Sequence, residues 1–137
     1  MRALQIFVIA AVSAIAVFRS HASYAFDLNG AWTSSVSACA NIFAINDAKE
    51  PSIKGDASMY GDAFIVRNNK IIGSAGQCAI RLRKSEGPVT HLVAICTAEN
   101  VALSTFQFSY RVKDDNNIVR IFPGIEELDA SYGRCVF

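Results

Sequence analysis

The residues with the clearest chemistry in this 137-residue sequence are four cysteines: Cys39, Cys78, Cys96 and Cys135. An even number of cysteines in a small exported protein is typical of a disulfide framework, and four thiols allow three pairings. Zinc is the alternative, but structural zinc sites usually take pairs of cysteines that are only a few residues apart. No two of these cysteines are that close, so the sequence predicts two disulfides and no metal.

Candidate catalytic groups are few. His91 is the only histidine beyond the N-terminal segment, and it is accompanied neither by a nucleophile at a matching spacing nor by a serine elbow motif. The run Asp114-Asp115-Asn116-Asn117 has the oxygen-bearing side chains of a calcium loop but lacks the central glycine and the terminal glutamate. A hairpin turn is the simpler interpretation of that run. We therefore expect a protein that is not an enzyme and has no cofactor.

An acidic stretch is the candidate surface for contact with a partner. Glu126, Glu127 and Asp129 follow Pro123-Gly124 and would present carboxylates to another envelope or extracellular protein, or to a glycan. A solvated loop is the alternative interpretation, because acidic loops are common on protein surfaces. Nucleic acid is not an expected partner, since the sequence offers no basic face with interleaved aromatic residues.

The first 25 residues have the pattern of a cleavable secretory signal peptide. Arg2 precedes an apolar run over residues 4–18, and cleavage is expected after Ala25 or Ala22. A membrane anchor is the alternative, but the run is shorter than the roughly 20 apolar residues that a spanning helix needs. We therefore expect one domain over residues 26–137, periplasmic or secreted and not inserted in the membrane.

Removal of this segment changes the charge balance. The full chain has 13 basic and 12 acidic residues, and Arg2 and Arg19 lie in the predicted signal peptide. The 112 residues that remain carry 11 basic and 12 acidic side chains, a net charge of −1. That length is enough for one hydrophobic core and too short for two.

Beyond residue 63 the sequence consists of short runs rich in β-branched and aromatic residues, separated by turn residues. This pattern predicts an antiparallel meander. The predicted strands cover residues 64–67, 70–73, 78–84, 89–97, 105–113, 118–122 and 132–137. Upstream we predict another strand over residues 26–33, a short helix over residues 36–44 and a long loop over residues 46–60. The fold class is mainly β, because about eight strands are enough for a small barrel that is closed or nearly closed.

The hairpin around Gly87 predicts how the cysteines pair. Antiparallel pairing about this glycine places Cys78 directly opposite Cys96, where a disulfide can form. Elimination then leaves Cys39 and Cys135, whose disulfide would join the start of the domain to its end.

The same register predicts which side chains of the hairpin face inward. It places Leu82 opposite Leu92 on the face that carries the cysteines, while Arg81 and Arg83 share the other face with His91. Because side chains alternate along a strand, a shift by one residue would exchange the two faces.

Three short motifs invite comparison with known families: Gly30-Ala31-Trp32, Phe122-Pro123-Gly124 and Tyr132-Gly133-Arg134-Cys135. With the remaining cysteines, they resemble an uncharacterised family of small exported bacterial proteins. A broader resemblance is to calycin-type barrels, namely lipocalins, avidins and small bacterial metalloprotease inhibitors. In those barrels Gly-x-Trp opens the first strand, and a basic residue near the chain end packs on the tryptophan. The resemblance implies a structural cation–π pair between Trp32 and Arg134.

Two functions fit these expectations. The first is a non-enzymatic protein of the bacterial cell envelope that binds another protein, for example as a hydrolase inhibitor. The alternative is a carrier that holds a small apolar ligand inside a calycin-like barrel. The interior distinguishes them, because a carrier needs a cavity of about 300 Å³ or more. A filled barrel would instead pack the side chains of Ile80, Leu82, Leu92, Phe106, Phe108 and Ile121.

Overall fold

The computed structural model describes residues 25–98 and 101–137. The predicted signal peptide lies outside the described residues, except for its last residue, Ala25. Among the described residues, no helix is both long enough and apolar enough to cross a membrane.

The described chain is mainly β and contains one short α-helix. Its elements follow in this order: β1 (Gly30–Thr33), a 3-10 helix (Val36–Ala38), α1 (Cys39–Ile42), β2 (Phe43–Ile45), β3 (Pro51–Ile53), a second 3-10 helix (Ala57–Met59), β4 (Ala63–Arg67), β5 (Lys70–Ile72), β6 (Gln77–Glu86), β7 (Val89–Ala98), β8 (Val101–Asp114), β9 (Asn117–Ile121), a third 3-10 helix (Glu126–Leu128) and β10 (Ala130–Cys135).

Eight of these strands form a closed barrel, which confirms the predicted architecture. The order of neighbours is β1-β10-β9-β8-β7-β6-β5-β4, and β4 pairs again with β1. Consecutive antiparallel hairpins connect β4 to β10, and β1 closes the ring between them. At the closure Trp32 lies opposite Phe64 of β4 on one side and opposite Arg134 of β10 on the other.

Hydrophobic clusters lie on both sides of the barrel wall. Inside, the fully buried Trp32 packs with Leu28, Val66, Leu92, Tyr110, Ile118 and Tyr132. Outside, α1 and the separate β2–β3 hairpin cover the wall at Ala31 and Ile65, and there Ile42 and Phe43 are buried. Strands covered on both faces carry apolar residues without alternation, which explains the run of buried residues in β1.

The segment after β1 contains more structure than predicted. The helix expected over residues 36–44 ends at Ile42, where the chain continues as β2, and the expected loop over residues 46–60 contains β3. Each of these strands has three residues, too few for a recognisable alternation pattern. Their pairing depends on packing against the barrel, since Phe43 is 3% exposed and lies opposite Ile53.

The β6–β7 hairpin follows the predicted register only in part. The two cysteines lie opposite each other as predicted, but the register shifts by one residue between Ile80 and Leu82. Consequently Arg83, not Leu82, lies opposite Leu92 on the inner face. The prediction that Leu82 faces inward is wrong, and its side chain is 61% exposed.

The turn of this hairpin explains the shift. Glu86 lies opposite Val89, so the turn itself consists of Gly87 and Pro88. Gly87 has a φ of 59°, which suits the first position of a two-residue type II′ turn. The register set by this turn differs by one residue from the register set by the disulfide, and Arg81 accommodates the difference as a β-bulge.

Both predicted disulfides are present. Cys78–Cys96 joins β6 to β7, whereas Cys39–Cys135 joins α1 to the end of β10 across a sequence separation of 96. The outer layer approaches β10 closely here, because a β-carbon on Gly133 would overlap Val36 of the first 3-10 helix. The long disulfide and this glycine together hold the outer layer against the last strand.

Candidate ligand-binding cavity

The two ends of the barrel differ. At the end with the tight turns after β4, β6 and β8, residues 26–29 fold across the interior before β1 begins. We call these residues the N-terminal plug and this end the closed end; the opposite end is the open end. Within the plug Leu28 is 4% exposed, and the Phe26 ring centroid lies 6.1 Å from that of Trp32. The plug forms the floor of the barrel interior.

Arg134 and Trp32 lie at the closed end and fasten the plug. Arg134 donates from Nη2 to the carbonyl of Asp27 at 2.8 Å and from Nη1 to the carbonyl of Asn29. Its Cζ lies 4.4 Å from the centroid of the Trp32 ring, and the indole Nε1 donates to the carbonyl of Leu28 at 2.9 Å. The side chains of Arg134 and Trp32 thus donate to the backbone carbonyls of three of the four plug residues.

Arg83 adds a further contact, because the bulge in β6 turns it inward. Its Nη2 donates to the carbonyl of Phe26 and lies 3.1 Å from the Tyr110 hydroxyl. Burial raises the pKa of Tyr110, while hydrogen bonding to Thr90 and the charge of Arg83 lower it in part. Tyr110 is therefore a neutral phenol at physiological pH, able to accept the Arg83 hydrogen bond.

Beyond the plug the barrel encloses a cavity of about 470 Å³. Leu28 lies at its floor, and polar residues such as Ser58, Asp62 and Thr97 lie at its open end. Six strands contribute apolar wall residues: Phe64, Ile71, Cys78, Leu92, Phe108 and Ile118. Small-molecule sites usually measure about 300–1,000 Å³ and are mainly apolar with a few polar groups, so both the size and the lining suit such a ligand.

The interior is hollow rather than packed with the side chains expected for a filled barrel. Leu92 and Phe108 line the cavity, whereas Leu82 and Phe106 are 61% and 47% exposed. The bulge accounts for Leu82. Phe106 is exposed because β9 pairs with β8 only from Ser109 onward, so the part of β8 that contains Phe106 extends past the end of β9.

Arg120 is a cationic residue in the cavity wall. Strand β9 places it on the same face as the buried Ile118, and its Cζ lies 5.0 Å from the Phe108 centroid and 4.7 Å from the Phe122 centroid. Within residues 25–98 and 101–137, no carboxylate forms an ion pair with Arg120. The apolar wall is therefore interrupted by a guanidinium group in contact with two aromatic rings.

Tyr132 adds a hydroxyl group beside Arg120. Its ring packs edge-on against Phe64, with the centroids 5.1 Å apart. Burial and the negative charge of Asp62 raise the pKa of Tyr132, whereas the charge and hydrogen bonding of Arg120 lower it. The phenol remains protonated at physiological pH, so it is available as a hydrogen-bond donor.

The acidic stretch predicted as a partner surface lies in the loop between β9 and β10, at the open end. Glu126 and Glu127 are exposed in the third 3-10 helix. Asp129 instead accepts a hydrogen bond at 2.9 Å from the backbone N–H of Phe122, so it closes its own loop. Two of the three predicted carboxylates therefore project into solvent, and the third has an internal role.

His91 lies on the outer face of β7 opposite Lys84, and the prediction that it shares this face with Arg83 is wrong because of the bulge. Its Nδ1 lies 2.7 Å from Ser109 Oγ, and its Nε2 lies 3.6 Å from Glu86. This order of acid, imidazole and hydroxyl resembles a hydrolase triad. Ser109 is only 4% exposed, however, so its hydroxyl is not accessible to a substrate.

No metal site is evident in the described part of the chain, where no three His, Cys, Asp or Glu side chains are grouped to hold an ion. Two features of the site were missed in the sequence. Alternation from Ile118 would have placed Arg120 on the inner face of β9, so that signal was present. The plug gave no such signal, because residues 26–29 and β1 form one apolar-rich run that we predicted as a single strand.

No family model, curated protein or solved structure matches this chain. The cavity, its plug and its cationic group are therefore the observations on which a functional proposal has to rest.

Proposed function

We propose that the protein is an exported binding protein that holds a small, mainly apolar ligand in the barrel cavity. The observation that carries this proposal is the cavity of about 470 Å³, closed by the plug at one end and open at the other. The calycin-type resemblance expected from Gly30, Trp32 and Arg134 supports the same function. Catalysis has no part in this proposal.

The cavity lining supports this function energetically. A ligand that displaces water from the apolar wall gains about 25 cal/mol for each Å² of apolar surface that it buries. The wall is held by a closed sheet, and the floor is tied down by Arg83 and Arg134. A preformed site loses little free energy to ordering on binding, which favours affinity.

The proposed location is the periplasm or the extracellular space. Disulfides persist in oxidising compartments and are rare in the cytosol, and both cysteine pairs of this chain are joined. The N-terminal sequence pattern supports export independently of the disulfides.

A cavity-filling variant tests the proposal. Ile71 lines the cavity, whereas Ile95 lies on the outer face of β7 and is 37% exposed. We expect Ile71→Trp to abolish binding of an apolar fluorescent probe such as N-phenyl-1-naphthylamine, because the indole takes up the space for the ligand. Ile95→Trp should bind the probe like the unmodified protein. Equal binding by the two variants, or no binding by the unmodified protein, contradicts the proposal.

A second candidate is a protein-interaction module, favoured by an unpaired strand edge. Over Val101–Phe108 the only strand paired with β8 in the described chain is β7, since β9 pairs with β8 only from Ser109 onward. Such an edge can accept an extended segment of another protein, here an envelope or extracellular partner. Recovery of one stoichiometric protein from periplasmic extract by the oxidised protein would support this candidate. Recovery of a small molecule and no protein would contradict it.

A further inference from the structure

Among residues 25–98 and 101–137, three arginines contact the interior of the barrel, and they differ in what accepts their hydrogen bonds. Arg83 donates to the carbonyl of Phe26, and Arg134 donates to carbonyls of the plug and, from Nε at 3.1 Å, to that of Asp115. Arg120 has no carbonyl acceptor and no carboxylate partner among residues 25–98 and 101–137. Two of the guanidinium groups are thus satisfied by the backbone, and the third is not.

The surroundings of Arg120 make this difference significant. A guanidinium has five N–H donors in one plane. The rings of Phe108 and Phe122 carry no oxygen or nitrogen atom that could accept hydrogen bonds from these donors. The two rings lie close to the guanidinium and attract its positive charge. Apart from the hydrogen bond to the hydroxyl of Tyr132, its donors remain available for an acceptor at the cavity.

We propose that the ligand is an amphiphile with a single anionic head group, and that Arg120 binds this head while the apolar body extends towards Leu28. This inference rests on the proposed function, because it names the chemical class of the ligand that the cavity holds. A planar guanidinium matches the paired oxygens of a carboxylate or sulfonate with two parallel hydrogen bonds. The Tyr132 hydroxyl supplies one further donor to the same oxygens.

The charge of the head is restricted by Asp62. Its carboxylate lies at the open end of the cavity and acts electrostatically on Tyr132, the neighbour of Arg120. Like charges repel, so a head that carries two negative charges is disfavoured there relative to a monoanion. Decanoate and decanesulfonate should therefore bind more tightly than the dianion of decyl phosphate.

Calorimetric titration of the full, oxidised protein with decanoate and with decanol tests the inference. The two probes share an apolar chain and differ in the charge of the head. We expect decanoate to bind at least about tenfold more tightly than decanol, the size expected when a charge-assisted bidentate pair is added. In Arg120→Met this difference should disappear, because decanoate weakens to the affinity of decanol while decanol itself is unchanged.

Matched variants separate the possible results. Arg120→Lys should retain part of the preference, since it keeps the charge and loses the planar fork, and Arg81→Met, which removes an exposed arginine, should retain all of it. Equal affinity of the unmodified protein for both probes overturns the head-group inference and leaves the proposed function standing. Binding of neither probe overturns both. Loss of decanol binding together with decanoate binding in Arg120→Met makes Arg120 a support of the cavity wall and overturns its assigned role.

Discussion

The closed and open ends of the barrel each carry an arginine in contact with aromatic rings. They differ in whether the backbone accepts the hydrogen bonds of that arginine. At the closed end Arg134 lies over Trp32, and at the open end Arg120 contacts the rings of Phe108 and Phe122. The difference is the acceptor: the plug supplies backbone carbonyls to Arg134, and no described part of the chain supplies them to Arg120. An arginine on an aromatic surface thus fastens the plug where the chain provides carbonyl acceptors, and it keeps donors without backbone acceptors where the chain provides none.

Each end also has its own disulfide, and removal of the closed-end disulfide is expected to have the largest effect on stability. Cys39–Cys135 closes a loop of 96 residues, and Cys78–Cys96 closes one of 18. On the chain-entropy model, their removal as Cys-to-Ala pairs costs about 4.7 and about 3 kcal/mol respectively. Urea unfolding of the two double variants measures both values. A larger loss for the Cys78/Cys96 variant would mean that the open end, not the closed end, limits stability.

Two leucines test whether the ends differ in packing. Leu28 in the plug is 4% exposed, and Leu128 at the open end is 55% exposed. We expect Leu28→Ala to lower the free energy of unfolding by about 3 kcal/mol, because it leaves a cavity in the floor. Leu128→Ala should change it by less than about 0.5 kcal/mol, as for other surface substitutions. If chemical denaturation gives a similar decrease in the free energy of unfolding for both variants, the plug is not a packed part of the core.

Two arginines test the role of acceptors directly. Arg134→Met should lower the free energy of unfolding by about 2 kcal/mol, because it removes charged hydrogen bonds to plug carbonyls and the cation over Trp32. Arg120→Met should lower the free energy of unfolding by less than about 1 kcal/mol, since it removes mainly cation–π contacts with aromatic rings. Thermal unfolding of both variants measures how much stability each of them loses. If Arg120→Met proves the more destabilising, Arg120 is structural and the contrast between the ends is wrong.

The smallest expected effect is a pH dependence at the closed end. The backbone N–H of Asn116, followed by the side chain of Asn117, lowers the pKa of Asp114 from its ordinary value of 3.8. A carboxyl group with a lowered pKa stabilises the folded state above its unfolded-state pKa, and this stabilisation is lost as the pH falls through the folded-state pKa. Asp114→Asn should therefore melt below the unmodified protein at neutral pH, and the two should converge as the pH falls through the folded-state pKa of Asp114. A difference in melting temperature between the two proteins that stays constant from neutral to acidic pH would contradict this expectation.

The part of the fold that could be predicted is the part that depends on neighbours in sequence. The hairpins from β4 to β10 alternate inward and outward residues and are separated by turn residues, so their strands and the Cys78–Cys96 pair followed from local pattern. The β2–β3 hairpin did not, because its pairing depends on burial of Phe43 against the barrel. A short strand stabilised by tertiary packing leaves too little local signal.

The site was less predictable than the fold for a related reason. The cavity exists because inward side chains of distant strands fail to meet, and no local pattern reports such a gap. The bulge arises because the disulfide and the two-residue turn set registers that differ by one residue in the same hairpin. Each of these constraints can be predicted from the sequence when it is considered alone. Arg120 could be placed on the inner face from alternation in β9, but its significance also depends on Phe108, which belongs to another strand, β8.

The bulge at Arg81 means that β6 contains one residue more than its pairing with β7 requires. Deletion of this one residue would let the turn register continue to Ile80 and would restore an uninterrupted ladder between β6 and β7. Such a deletion would leave the composition of the plug and of the cavity wall unchanged. The deletion would make the register set by the disulfide agree with the register set by the turn. The inward position of Arg83 and the crosslink at Cys78 are therefore linked through the number of residues that separate them in β6.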